Sequence, residues 1–147
     1  MAMTEEQIDH FLAPPRIALL ATINRDGRPA QNPVWYEYED GKFRMAISRD
    51  IYYGKNLMRD PRVSLCVQDE DPPYKGIVAR GRATTEPDTE FGVMRRLAIR
   101  YFGEEQGKRY ADSTWADHGQ DLMLVTLVSE KIASWDYSER RDPARQA

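Results

Sequence analysis

RIALLATINRDGRPAQNPVWYEYEDGKFRMAIS, Arg16–Ser48, holds three β-type runs parted by two Asp-Gly pairs, Asp26-Gly27 and Asp40-Gly41. Asp-Gly is a strong hairpin signal because tight two-residue turns need positive φ at their centre. The stretch therefore reads as two hairpins in series, a three-strand antiparallel meander over Arg16–Ile23, Ala30–Glu39 and Lys42–Ser48. Pro33 interrupts the middle run. It has no N–H for a ladder, so that strand is expected to lie at an edge or to carry a bulge.

Outward from this core the pattern continues. Upstream, Thr4 is a candidate N-cap for a helix over TEEQIDHFL, with Ile8, Phe11 and Leu12 on one face. Downstream, Ile51–Arg59 reads as a short helix with Asp50 as candidate N-cap and Pro61 beyond its end. RVSLCVQ and KGIVARGRATTE read as fourth and fifth strands. A helix is expected over about Asp88–Phe102, where Phe91, Met94, Leu97, Ala98 and Tyr101 repeat at helical spacing. A second helical piece, about Glu104–Ala111, gives way to the polar DSTWADHGQ, and DLMLVTLVSEKIASWDY is a sixth strand. Tight turns between the early strands favour a mainly β (α+β) fold, a small barrel with helical insertions, over βαβ units. One domain is expected over 1–147, with an N-terminal helix in 1–13 and a loose polar tail in 138–147.

The net charge of −3 is too small to point to nucleic acid or an anionic membrane surface. With 41% hydrophobic and 31% charged residues the chain has the composition of a water-facing globular domain, and no apolar run is long enough to span a bilayer. Its mean hydropathy of −0.71 implies a modest core, which a second copy could supplement. Cys66 is the only cysteine, expected as a small buried hydrophobe, so no disulfide or cysteine-based zinc cluster is expected. His10 and His118 stand apart, without metal-ligand spacing. A reducing cytoplasm is the expected location.

The chemistry concentrates in ISRDIYYGKNLMRDP, Ile47–Pro61. Ser48 offers a hydroxyl, Arg49 a bidentate fork and Lys55 a mobile charge, all beside a helix N-terminus whose free N–H groups suit a phosphate. Asp50 would compete with an anion for those donors. Arg49, Lys55 and Arg59 also read as a solvated face paired with Asp50 and Asp60. Trp35 fits either a pocket wall or the core. No nucleophile elbow, P-loop or dinucleotide fingerprint appears.

In order and spacing, ALLATINRDGRPAQNPVWYEYEDGKF, NLMRDPRVSLCV, DPPYKGIVARGRA and KIASWDY resemble the pyridoxamine-phosphate-oxidase-like, FMN-binding split-barrel superfamily. They are most similar to its branch of small flavin and deazaflavin (coenzyme F420)-dependent oxidoreductases. The resemblance implies a six-stranded split barrel paired as a homodimer, with each cofactor site built from both chains. It places the cofactor ring against Asn32, Pro33, Val34 and Trp35 on one strand and Ala46 and Ile47 on the next. The phosphate falls to Ser48, Arg49, Lys55 and Asn56, and Trp135 reaches the partner chain's cofactor. One position departs from the family: Tyr53 stands where a lysine or arginine is common.

The expected function is thus hydride transfer from a flavin-type cofactor, F420 preferred over FMN, to a small organic acceptor. In such an enzyme the cofactor carries the hard chemistry, so no catalytic residue is named. The alternatives are an FMN-dependent oxidase or reductase of the same fold, and a non-catalytic carrier of flavin, F420 or haem. Arg25 and Arg28 are further candidates to meet the polyanionic tail of F420. Tyr74 and Lys75 are candidates for the rim of the site.

Overall fold

The computed structural model describes residues 2–88 and 92–138. Its elements run α1 (Glu5–Leu12), β1 (Ala18–Ile23), β2 (Pro29–Val34), β3 (Glu37–Glu39), β4 (Lys42–Ser48), α2 (Tyr52–Arg59), β5 (Arg62–Gln68), β6 (Lys75–Pro87), α3 (Gly92–Phe102), α4 (Glu104–His118) and β7 (Leu122–Asp136). All seven strands join one sheet in the order β2-β1-β5-β6-β7-β4-β3, with every pairing antiparallel.

Both Asp-Gly turns form. Asp40 and Gly41 take φ of 52° and 77°, the two left-handed residues of a type I′ turn, and Gly27 takes 85°. The three-strand meander does not form, and the described residues make seven strands rather than six. The run Ala30–Glu39 breaks at Trp35-Tyr36, leaving β2 at one edge of the sheet and β3 at the other. Val34 and Glu37 are three residues apart, so these edges approach within about 11 Å. The sheet thereby rolls into a split barrel whose seam is crossed by Trp35 and Tyr36. Pro33 lies in edge strand β2, which pairs only with β1, as its missing N–H requires.

Inside the barrel Leu20, Tyr36, Phe43, Met45, Leu65, Val67, Ile77, Val125 and Leu127 are fully buried. Thr4 caps α1: its hydroxyl accepts from the Gln7 N–H at 3.2 Å, and the Gln7 side chain accepts from the Thr4 N–H at 2.8 Å. Asp88 starts α3 by accepting from the N–H groups of Val93 and Met94, each at 3.1 Å. Phe91, assigned to this helix from its spacing, lies outside the described residues, as does the tail beyond Ser138. α4 is longer than expected. It continues through DSTWADH to His118 because Gly107 and Ala111 bury its first half against α3, and the exposed second half extends that frame.

Cys66 corrects a further expectation. Along β5 the residues Val63, Leu65 and Val67 face the core, so Cys66 points to the outer face and is half-buried there. Its register partners carry an apolar row across five strands: Pro33 on β2, Leu19 on β1, Cys66 on β5, Val78 on β6 and Ala133 on β7.

Candidate functional site

Where β2 and β4 meet across the seam, the α3–α4 hairpin covers a cavity of about 400 Å³. Its strand side is Pro33, Val34, Trp35, Ala46 and Ile47, and its helix side is Met94, Leu97 and Tyr110; Ile17 and Tyr53 complete the lining. These strand residues lie near opposite ends of the sheet order, and only barrel closure brings them together.

Trp35 is fixed by its aromatic neighbours. Its indole stacks on Tyr101 at 4.9 Å between centroids and 11° between planes, and meets Phe102 edge-on at 5.1 Å. Tyr110 packs 5.5 Å away. Tyr101 is itself anchored: its hydroxyl donates to the Arg16 carbonyl at 2.5 Å and accepts from the Tyr36 N–H at 3.1 Å. The hairpin is tied down beside it by Arg96, which makes a two-pronged pair with Glu37 at 2.7 and 3.1 Å. Arg100 adds donors to the carbonyls of Leu12, Ala13 and Pro14.

The basic segment adjoins the cavity through α2. Gly54 lies so close to the end of β4 that a Cβ would overlap the Ser48 carbonyl. The start of α2 carries no side-chain cap, since its N-cap residue is Ile51; Asp50 does not cap the helix, and its own N–H donates to Ser48 Oγ at 3.2 Å. Arg49 is exposed and only 3.9 Å from Asp121, a weak surface pairing. Lys55 is exposed. Ser48 and Arg49 at the end of β4 and Lys55 on α2 do not line the cavity; they belong to the segment that adjoins it through Tyr53, and the Arg49 and Lys55 side chains are exposed.

Asn56 is placed differently. It is buried, its amide donates to Thr22 Oγ1 at 3.1 Å and Asn24 Oδ1 at 2.8 Å, and its carbonyl accepts from Arg59 at 2.7 Å. The bonds to Thr22 and Asn24 hold α2 onto β1 and its turn, and Arg59, within α2 itself, adds a donor to the Ile23 carbonyl at 2.9 Å. Asn32 shares two hydrogen bonds with the Tyr52 hydroxyl, at 2.8 and 3.0 Å, which tie β2 to α2 beside the cavity mouth. Arg25 and Arg28 are exposed on the turn that Asn24 begins.

Trp135 is remote from this cavity within one chain. Its ring covers Gly76 on the outer face, one alternation beyond Ala133. Four strand spacings separate Ala133 from Pro33, roughly 19 Å at about 4.8 Å each. Tyr74 is half-exposed near Trp135, and Lys75 borders a separate cavity of about 450 Å³ with Met3, His10, Arg16, Asp69 and Asp136. Neither rims the seam cavity.

The family model for pyridoxamine 5'-phosphate oxidase matches residues 4–120. The chain belongs to this family. Among solved structures, the Mycobacterium tuberculosis protein Rv2991 is 29% identical with a TM-score of 0.79, over 94% of this chain and 88% of that one. An F420 reductase shares the fold at 21% identity and TM-score 0.69, over 85% and 94% of the two chains. The haem storage protein HutZ of Vibrio cholerae does so at 22% and 0.67, over 90% and 93%. At these last two identities the likeness concerns the fold alone.

Sequence reading missed Ile17, Tyr53, Met94, Leu97 and Tyr110 as cavity residues. Met94 and Leu97 carried a helical signal for burial, and nothing in that periodicity distinguishes a cavity wall from core. Tyr53, singled out for what it replaced, turns out to contribute a half-buried phenol to the wall. Among the described residues no group of three or more His, Cys, Asp or Glu is placed to hold a metal, and no helix is long and apolar enough to cross a membrane.

Proposed function

We propose that the protein is an oxidoreductase that holds a flavin-type cofactor at the barrel seam, coenzyme F420 in preference to FMN, and reduces a small organic acceptor. The observation that carries this reading is the cavity itself: a slot between two strands, walled by Trp35, Val34 and Ile47, with Tyr53 of α2, the helix that bears Lys55 and follows Ser48 and Arg49, in its lining. An apolar slot with a basic segment adjoining it fits a group that is flat at one end and phosphorylated at the other. Structural similarity to an F420 reductase and to a Mesorhizobium loti FAD-binding protein agrees with it.

In this reading the backbone of Asn32–Trp35 and the Ala46–Ile47 edge orient the ring. Ser48, Arg49 and Lys55 neutralise the phosphate, helped by the uncapped start of α2. Trp35, Leu97 and Met94 keep water from the reacting face. A bound, reduced deazaflavin would supply two electrons as a hydride. Among the described residues the side chains lining the cavity are uncharged and Tyr53 and Tyr110 carry the hydroxyls, so proton delivery falls to a phenol or to solvent.

A second copy would complete the site. The row Pro33–Leu19–Cys66–Val78–Ala133 is an apolar band on the outer face, with Leu19 45% exposed and Ile17 52% exposed beside it. Its ends differ: Pro33 belongs to the cavity, and Trp135 stands next to Ala133. Two bands related by a two-fold axis near Cys66 would set each Trp135 against the other chain's Pro33. Homodimerisation across this band would therefore bring Trp135 to the cofactor of the partner.

The test is turnover. Reduced F420 mixed with the protein and a panel of small activated alkenes should be reoxidised in step with acceptor consumption. Tight binding of the cofactor with no acceleration of its reoxidation by any acceptor would make the protein a carrier instead.

A further inference from the structure

The strand side of the seam cavity is occupied, in the reading above, by the cofactor ring. The helix side faces it with Met94 and Leu97 of α3 and Tyr110 of α4, and Trp35 stands at the corner between the two. Among the described residues none of the lining side chains is charged. This is a selective feature on a surface where 31% of the chain is Asp, Glu, Lys or Arg. The nearby charges are turned elsewhere: Arg96 is paired to Glu37, Arg100 to the carbonyls after α1, and Arg95 to Asp112 at 3.6 Å.

Resting on the cofactor reading, we propose that the helix side selects an uncharged, flat, apolar acceptor that carries a hydrogen-bond-accepting group, and rejects carboxylates and cations. The walls supply dispersion contact and aromatic faces. The polar side-chain groups available are donors or dual-purpose hydroxyls: the indole N–H of Trp35 and the phenols of Tyr53 and Tyr110. A carbonyl-type oxygen is the partner that suits all three. Against Met94, Leu97 and Tyr110 a carboxylate would have to shed water with no lining cation beside it, since Arg49 and Lys55 lie outside the lining on the segment given to the cofactor phosphate, and an ammonium would find no anion. The Tyr53 phenol reports the same environment. Desolvation, with the neighbouring Tyr52 as a smaller contribution, raises its pKa above the ordinary phenol value, so the site resists a negative charge already attached to the protein.

Tyr110 is the position at which to invert the preference. It is 41% exposed, so a substitution there is tolerated by the fold, while its ring still reaches Trp35 at 5.5 Å. The probes are 2-naphthamide and 2-naphthoate, flat and nearly isosteric, one neutral and one anionic. Each is titrated into the full chain while Trp fluorescence and heat are followed. The neutral amide should bind at least tenfold more tightly, and Tyr110→Lys should reverse the order while melting near the wild-type temperature.

Equal binding of the two probes, binding of neither, or an unchanged preference in Tyr110→Lys would overturn the inference. The two levels separate cleanly. Cofactor binding without probe discrimination removes only the acceptor class. Probe discrimination with no F420 or FMN binding removes the cofactor reading and leaves a cavity for neutral aromatic ligands.

Discussion

Gly54 and Ser48 are in backbone contact: the helix α2 is pressed so closely on the end of β4 that a Cβ on Gly54 would overlap the Ser48 carbonyl oxygen. That contact sets α2, with its uncapped start and Lys55, directly against the end of β4 that carries Ser48 and Arg49. Gly54→Ala has to push the helix away from the strand. The expected cost is about 1–3 kcal/mol of stability, as for other overpacked sites, with cofactor affinity reduced in the variant that remains folded. Thermal melting and cofactor titration of the same sample measure both.

Arg49→Ala and Lys55→Ala should behave in the opposite way. Both side chains are exposed and weakly committed, so melting temperature should hardly move. Each removes a charged contact to phosphate, and an interaction of about 1.5–3 kcal/mol corresponds to roughly 10- to 100-fold in cofactor dissociation constant. Raising the salt concentration should weaken the wild type more than either variant. Asn56→Ala is the contrast: it leaves Thr22, Asn24 and Arg59 without their partner and should lower stability by about 1–3 kcal/mol.

Alkaline pH should unfold the protein through its buried phenols. Burial first, and the adjacent Tyr101 second, push the Tyr36 pKa from 10.0 up to about 12. Desolvation likewise raises Tyr38, Tyr53 and Tyr101. A raised folded-state pKa means the folded protein keeps its proton where the unfolded chain loses it. The stability Tyr36 contributes is therefore fully present below pH 10 and is lost as pH rises through about 12, and the other three act in the same direction. Melting temperature measured from pH 8 to 12 should fall over the upper half of that range, and Tyr36→Phe should flatten the fall. Parallel curves for the two proteins would show that Tyr36 does not contribute.

The outer band makes a separate prediction. Val78→Asp puts a charge in the middle of the apolar row and should give a monomer in sedimentation with cofactor affinity strongly reduced. Trp135→Ala should weaken cofactor binding at least tenfold and leave the dimer intact. A wild-type protein that sediments as a monomer with cofactor bound would remove the role given to Trp135.

Much of this was legible in the residues. The two Asp-Gly pairs located both hairpins, Thr4 located a capped helix, and the proline at 33 located a sheet edge. What stayed hidden was long-range. Ala30–Glu39 looks like one strand because Trp35 and Tyr36 are themselves β-formers, and only closure of the sheet explains why the chain leaves one edge there and joins the other. The same closure assembles the cavity, so Pro33–Trp35 and Ala46–Ile47 could be assigned to a ligand only through family resemblance. Cys66 illustrates alternation: within the strand RVSLCV it reads as a small buried hydrophobe, yet its face of that strand points outward. Asn56 was grouped with the phosphate residues by its place in the segment, whereas its amide closes a network with Thr22, Asn24 and Arg59 that no local pattern displays.

The most direct measurement is a fluorescence titration of the purified protein with F420 and, separately, with FMN. Saturable binding of F420 is expected, at least tenfold tighter than FMN and weakened in Arg49→Ala and Lys55→Ala. Binding of neither cofactor by the folded wild-type protein would contradict the cofactor reading.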